Sequence, residues 1–290
     1  MNLTIDHVSK SFGSKKALDG IHMELTRGVY GFLGANGSGK TTLMRILASV
    51  MKPSTGQIYL NGKDIVKMDH EYRDLIGYLP QHVGLYKDFS AEKFLKYIAA
   101  LKGLAKEKTQ DKVNEVLDIV GLSEHRKEKL GKYSGGMKQR IGIAQALLND
   151  PMILIVDEPT AGLDPKERIR FRNLLSHIST NRIVLLSTHI VSDIESIAKE
   201  VLILKKGQLI RKEKPEKLLR GMDGKVWTIV IDEKEIAKYQ SMFKVGNINR
   251  IQDQFQLRMI SDVKPCLHAV HAAPNLEDLY LYYFDEEVSI

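Results

Sequence analysis

The sequence predicts an α/β fold organised on a mostly parallel sheet, and three observations predict it. Gly34-Ala35-Asn36-Gly37-Ser38-Gly39-Lys40-Thr41 fits the phosphate-cradling spacing G-x-x-x-x-G-K-[ST], between an apolar strand and an apolar helix start. Two unbroken apolar runs, Met152-Ile153-Leu154-Ile155-Val156 and Ile183-Val184-Leu185-Leu186, read as strands buried on both faces. Over residues of about 90–130 the apolar period switches from that of a strand to that of a helix, which places a helical insertion inside the α/β frame.

A length of 290 residues allows one or two domains and a sizeable core. Hydrophobic content of 43% and charged content of 27% are ordinary for a globular chain. The net charge of +7 suits anionic partners, but it is spread along the sequence, which reads as a solvated basic surface. Cys266 is the single cysteine, so an internal disulfide framework is excluded and a reducing compartment is expected. Met1-Asn2-Leu3-Thr4-Ile5-Asp6 lacks the basic-then-apolar pattern of a signal segment. No run approaches the roughly 18 apolar residues of a membrane span. Zinc-spaced Cys/His sets, aromatic RNA-binding strands and long heptad runs are also missing from the sequence, so no nucleic-acid partner is expected.

Leu3, Ile5 and Val8 begin the first strand, followed by an expected loop over 11–14. Phe12 in that loop either caps the core or stacks on a nucleotide base. Ile21, Met23 and Leu25 alternate with His22 and Glu24 as in a half-exposed strand. Next comes the phosphate loop, whose glycines allow tight turns and whose helix start offers unpaired N–H groups and a positive dipole end. Lys40 can reach β- and γ-phosphates there, and the Thr41 hydroxyl can sit on Mg²⁺. Gln57-Ile58-Tyr59-Leu60 enters a tight turn at Asn61-Gly62, and residues 75–79 form a strand that ends before Gln81.

In the insertion, Ser90 is placed as an N-cap, with Phe94, Leu95, Ile98 and Leu101 on one face. Val113, Val116, Leu117 and Val120 form a second face, stopped by Gly121. Ser134-Gly135-Gly136 starts the next helix, either as an ordinary cap or with its N–H groups open to a ligand. Asp157 and Glu158 close the apolar run 152–156, at the sheet edge where α/β proteins bind ligands. Asp157 suits Mg²⁺, and Glu158 suits polarising an attacking water. Residues 161–165 turn into a helix ending near Ile178, and His189 follows the strand 183–187, as a packing residue or a functional one. A glycine turn at Gly221 and Gly224 marks the expected boundary between domains 1–220 and 221–290. Strands over 226–231 and 255–259 and a helix after Pro274-Asn275 make the tail a small α+β extension.

Taken in order, these motifs resemble the ATP-binding subunit of ATP-binding-cassette (ABC) transporters, over residues 1 to about 215. The resemblance implies a P-loop NTPase cassette, with a RecA-like core, an N-terminal antiparallel β subdomain and a helical subdomain. It implies that ATP lies against Phe12, Gly34, Ala35, Asn36, Gly37, Ser38, Gly39, Lys40, Thr41 and Thr42. Gln81 would touch Mg²⁺ and the permease interface, Asp157 would complete the metal site, and Glu158 would be the catalytic carboxylate. Ser134, Gly135 and Gly136 would form the signature segment, Asp164 the D-loop aspartate and His189 the switch histidine at the γ-phosphate. Met137 stands where the family commonly has glutamine, so Ser134 and Gly136 would carry the signature contacts.

The family clamps each ATP between one chain's P-loop and the other chain's signature segment. A second ATP-binding subunit, a homodimer in the simplest case, is therefore implied. A separate integral-membrane permease would bind the transported substrate, and this chain would sit at the cytoplasmic face of the membrane. The tail resembles, weakly, that of bacterial multidrug and bacitracin-type exporter subunits. A soluble ABC ATPase acting on nucleic acid, ribosomes or cofactor assembly is the alternative. Against it stand the single cassette and the lack of a concentrated basic stripe. Val83, Leu85 and Tyr86 after Gln81 are expected to form an exposed apolar docking surface or to pack the insertion onto the core.

Overall fold

A computed structural model describes residues 1–160, 162–188 and 190–284. The chain divides between Arg211 and Lys212. That division precedes the Gly221–Gly224 turn, because helix Pro215–Arg220 packs on helix Leu276–Phe284 and belongs with the second unit.

The first unit opens with β1 (Leu3–Phe12) and β2 (Lys15–Leu25), antiparallel around the Gly13-Ser14 turn. Pairing runs through Ser11↔Lys16 to Phe12↔Lys15, so Ser11 and Phe12 end a strand, a correction to the loop expected over 11–14. β3 (Gly28–Leu33) leads into α1 (Lys40–Leu47). β4 (Thr55–Leu60) and β5 (Lys63–Asp64) complete an antiparallel sheet ordered β2-β1-β4-β5. Two short helices follow, α2 (Ile65–Met68) and α3 (His70–Asp74), which the apolar pattern does not announce.

β6 (Ile76–Leu79) precedes the insertion, made of α4 (Ala91–Leu101) and α5 (Lys106–Ile119). Then come α6 (Gly135–Leu147), β7 (Ile153–Asp157), α7 (Pro165–Ile178) and β8 (Ile183–Ser187). α8 (Val191–Glu195), β9 (Glu200–Lys205) and β10 (Gln208–Glu213) end the series.

The central sheet runs β10-β9-β3-β8-β7-β6, and its pairs from β9 to β6 are parallel. Ile153, Ile155, Ile183 and Leu185 join a core shared with α1 and the antiparallel sheet. Leu154, Val156, Val184 and Leu186 join a second core shared with the helices α4 to α7. Both faces are covered, which is why these strands read as unbroken apolar runs. Parallel pairing also brings the carboxyl ends of β3, β6, β7 and β8 to one edge of the sheet.

Ser90 caps α4, its hydroxyl accepting from Lys93 N at 3.2 Å, and an isolated bridge between Ser90 and Lys129 ties the two ends of the insertion together. Phe94, Leu95, Val113, Val116, Leu117 and Val120 are buried as expected. Leu101 is not: it is the last residue of α4, beside the turn at Gly103 (φ 72°), and it is 67% exposed. Val83 and Leu85 pack half-buried on the core of α4 to α6, where Gly142 leaves room for Val83, so only Tyr86 of the expected patch is exposed. Tyr86 stacks on Phe89 at 5.1 Å and meets the Tyr97 ring edge-on at 5.5 Å.

The second unit holds α9 (Pro215–Arg220), β11 (Val226–Ile231), α10 (Ile236–Met242), β12 (Lys244–Ile251), β13 (Gln254–Ile260), β14 (Val270–His271) and α11 (Leu276–Phe284). Its sheet is antiparallel, ordered β12-β13-β11-β14, over a core of Trp227, Ile229, Leu257 and Met259. Leu276 and Leu279 of α11 are buried, and Arg258 grips Asp278 through two hydrogen bonds of 2.8 and 2.6 Å.

Candidate functional site

The loop after β3 turns into α1 at Gly39, which has φ 106° and caps the helix without a side-chain bond. Gly37, at φ 78°, turns the loop before it; an L residue is strained at either position. A Cβ at position 39 would meet Ala17 O at 2.7 Å, and one at position 34 would meet Leu204 O at 2.6 Å, so the loop lies tight on β2 and β9. Gly207 N donates to Ser38 O at 3.1 Å and holds the loop from behind.

Lys40, the first residue of α1, is 5% exposed. Its ammonium donates to the carbonyls of Gly34 at 2.5 Å and Ala35 at 3.1 Å. Burial holds its pKa below the ordinary lysine value, while the carboxylates of Glu158 and Asp157 push it back up. Ser38 Oγ is buried and has no partner among the described residues. A desolvated cation and an orphaned hydroxyl inside one turn of backbone amides fit a polyanion.

Asp157 ends β7 and is 2% exposed. It accepts from the Ser187 hydroxyl, and Thr41 Oγ1 lies 3.4 Å from the same carboxylate oxygen. Glu158 follows with φ 48°, a left-handed conformation that only its surroundings can maintain. Its N–H donates to both the carbonyl and the hydroxyl of Ser187, each at 3.0 Å. Its carboxylate accepts from Gln81 Nε2 at 2.8 Å, which brings the loop after β6 to the end of β7. Ser187 thus holds both acids, although it passes unnoticed in the sequence as the end of an apolar run. Its only signal there is a hydroxyl at the carboxyl end of a fully buried strand.

Phe12, Lys15, Ala17, residues 36–42 and Glu158 line a single cleft of about 230 Å³ that opens to solvent. Phe12 stands at its rim, 48% exposed. Lys15 and Ala17 of β2 are further wall residues that motif reading does not reach. Thr42 lies in the cleft beside Thr41, and Asn36 is exposed at its mouth.

Ser134, Gly135, Gly136 and Asp164 are not among the residues that line this cleft. Ser134 caps α6, accepting from Met137 N at 3.2 Å, and Asp164 caps α7, accepting from Glu167 N at 2.9 Å. The two helix starts adjoin: a Cβ on Gly136 would meet the Glu167 carboxylate, and one on Gly135 would touch Leu163 at 3.8 Å. Ser134, Gly135 and Asp164 remain exposed. His189 lies outside the described residues.

A family profile described as ABC transporter matches residues 18–161. The chain is 38% identical over 233 residues to the uncharacterized ABC transporter ATP-binding protein YxlF of Bacillus subtilis (strain 168), covering 80% of this chain and 77% of that one. It is 40% identical to the bacitracin transport ATP-binding protein BcrA of Bacillus licheniformis, over 70% of this chain and 66% of that one. It is 29% identical to the Nod factor export ATP-binding protein I of Paraburkholderia xenovorans (strain LB400), over 96% and 95% of the two chains. Among solved structures, an ATP-binding subunit of an ABC transporter superposes with a TM-score of 0.67 at 26% identity, over 76% of this chain and 93% of that one. A dimeric ATP-binding cassette in a post-hydrolysis state with ADP and Pi superposes with a TM-score of 0.65 at 25% identity, over 73% and 98% of the two chains.

Proposed function

The chain belongs to the ABC transporter family and is an ATPase subunit, and on that premise we propose that two copies close head to tail around two ATP molecules to power export by a separate membrane permease. One observation carries the catalytic reading. A desolvated lysine, a glycine-rich cradle, a buried aspartate and a strained glutamate converge where β3, β7 and β8 end. The name of the Nod factor export relative supports the direction of transport. No described helix is long and apolar enough to cross a membrane, and in this reading the chain works at the inner membrane face through the permease. Tyr86, packed on Phe89 and Tyr97 in the segment that follows Gln81, is the apolar surface offered for that contact.

In this reading the adenine stacks on Phe12, and the phosphates lie in the amides of residues 34–42 with Lys40 over the β- and γ-phosphates. Thr41, Asp157 and the amide oxygen of Gln81 form a hard-oxygen set that would hold Mg²⁺, which would neutralise phosphate charge there. The Glu158 carboxylate, positioned by Gln81 and by the double hold of Ser187 on its N–H, orients water and takes its proton. The water oxygen bonds to the γ-phosphorus, the P–O bond to the β-phosphate breaks, and ADP and phosphate leave. Lys40 and His189 stabilise the charge of the transferring group. Ser134, Gly135 and Gly136 with Asp164 serve the partner's nucleotide, which fits the exposure of Ser134, Gly135 and Asp164 and the position of all four apart from this chain's own cleft.

Glu158→Gln keeps the hydrogen-bonding shape and removes the base. Turnover should fall by about 10²-fold or more with nucleotide binding retained, as read by phosphate release and by calorimetry with ATP. Hydrolysis near the wild-type rate would remove Glu158 from this role.

A further inference from the structure

We propose that Asp6, His7 and His22 form a binding site for a first-row divalent cation, with Zn²⁺ the best-suited ion, on the outer face of the antiparallel sheet. The site is made by a β-bulge. β1 pairs Ile5 with Met23 and Val8 with Ile21, so two residues, Asp6 and His7, stand opposite the single His22. Ile5, Val8, Ile21 and Met23 are all buried. In an unbroken strand, Asp6 and His7 would point to opposite faces, with His7 turned toward the core. The extra residue lets both share the solvent face with His22.

The backbone is fitted to this arrangement on two strands. His7 adopts φ 47°, and Gly56 of β4, itself at φ 83°, lies so close that a Cβ there would meet Asp6 O at 2.6 Å. The donors are already assembled. His7 Nδ1 lies 2.7 Å and His22 Nδ1 3.2 Å from Asp6 Oδ1, and one donor atom from each residue lies within 4.8 Å of the others. Bonds of about 2.0–2.1 Å to a tetrahedral ion put donor atoms roughly 3.3 Å apart, near the 3.2 Å of the His22–Asp6 pair and wider than the 2.7 Å of the His7–Asp6 pair, so small side-chain rotations would admit the ion. Two imidazoles and one carboxylate favour Zn²⁺ and its first-row neighbours over Mg²⁺ or Ca²⁺ and leave a coordination position for water. None of the three residues lines the nucleotide cleft, so the site does not rest on the ATPase reading.

The test is a titration of the metal-stripped, nucleotide-free full chain with ZnCl₂, followed by calorimetry and by the imidazole ¹⁵N signals of His7 and His22. The expected result is one site of micromolar dissociation constant whose filling shifts both histidine signals. Affinity should drop at least tenfold in His22→Gln and in His7→Asn, where asparagine tolerates the left-handed backbone. Zinc binding that leaves the signals of His7 and His22 unmoved would overturn the proposal. So would equal affinity in folded variants, or no binding below millimolar zinc. The signals of the wild-type chain decide the question even if a variant fails to fold.

Discussion

Ser187 links Asp157 and Glu158 from the neighbouring strand. Its hydroxyl donates to Asp157 and accepts from Glu158 N, and its carbonyl takes the same N–H. The residue is fully buried, so Ser187→Ala leaves a lone pair of Asp157 without its donor in a low-dielectric site. Such a loss costs about 1–3 kcal/mol. A folded variant with turnover reduced about tenfold is expected, since roughly 1.4 kcal/mol of misplacement of Glu158 is enough for that factor. Wild-type turnover in Ser187→Ala, measured beside its melting temperature, would show that the left-handed Glu158 is held by other means. Asp157 and Glu158 were legible in the sequence because carboxylates closing an apolar run stand out against it. Ser187 was not, since a serine after Leu186 looks like any strand end. Likewise, the bulge at Asp6 and His7 leaves no mark in the residue types, because it is a property of register.

The helical insertion is held to the cassette at its root. Ser90 and Lys129 form a bridge, Leu130 N donates to Phe89 O at 2.9 Å, and Gly131 N donates to Lys87 O at 2.9 Å. Glu92 adds an electrostatic clasp, with Lys96 at 2.8 Å and Arg126 at 3.1 Å. The Lys96 bond, then the Arg126 contact, hold the Glu92 carboxyl down to about 2 against the opposing effect of desolvation. A carboxyl depressed in the folded state contributes stability above its unfolded pKa of roughly 4.3 and loses it as pH falls toward the folded value. The wild type should therefore lose more melting temperature than Glu92→Gln between pH 5 and about 2. At neutral pH the variant should melt lower. Parallel melting curves across that window would refute the clasp. The period of apolar residues announced α4 and α5 well, because two buried faces demand it. It misplaced Leu101 at the helix end, and it gave no sign of α2 and α3, whose short turns bury little besides Ile65 and Tyr72.

At the scale of the whole molecule, the first unit was readable from its motifs, because phosphate chemistry requires particular residues at particular spacings. The second unit carries no such chemistry. Its strand β12 is largely exposed, so nothing in its apolar pattern revealed it, and the division of the chain falls earlier than its glycine turn suggests. In the proposed reading one chain holds only part of each ATP site, and that is the feature with the widest consequence. The cleft gathers Phe12, the phosphate loop and Glu158, while the exposed Ser134 and Gly135 at the start of α6 lie elsewhere on the same chain. One measurement tests the resulting claim directly: sedimentation of the Glu158→Gln chain with ATP, with and without Ser134→Arg added. ATP should drive the Glu158→Gln chain to twice the mass of one chain, and the added arginine should leave ATP bound to single chains and abolish the dimer. A Glu158→Gln chain that binds ATP and stays monomeric, or a dimer indifferent to Ser134→Arg, would contradict the claim.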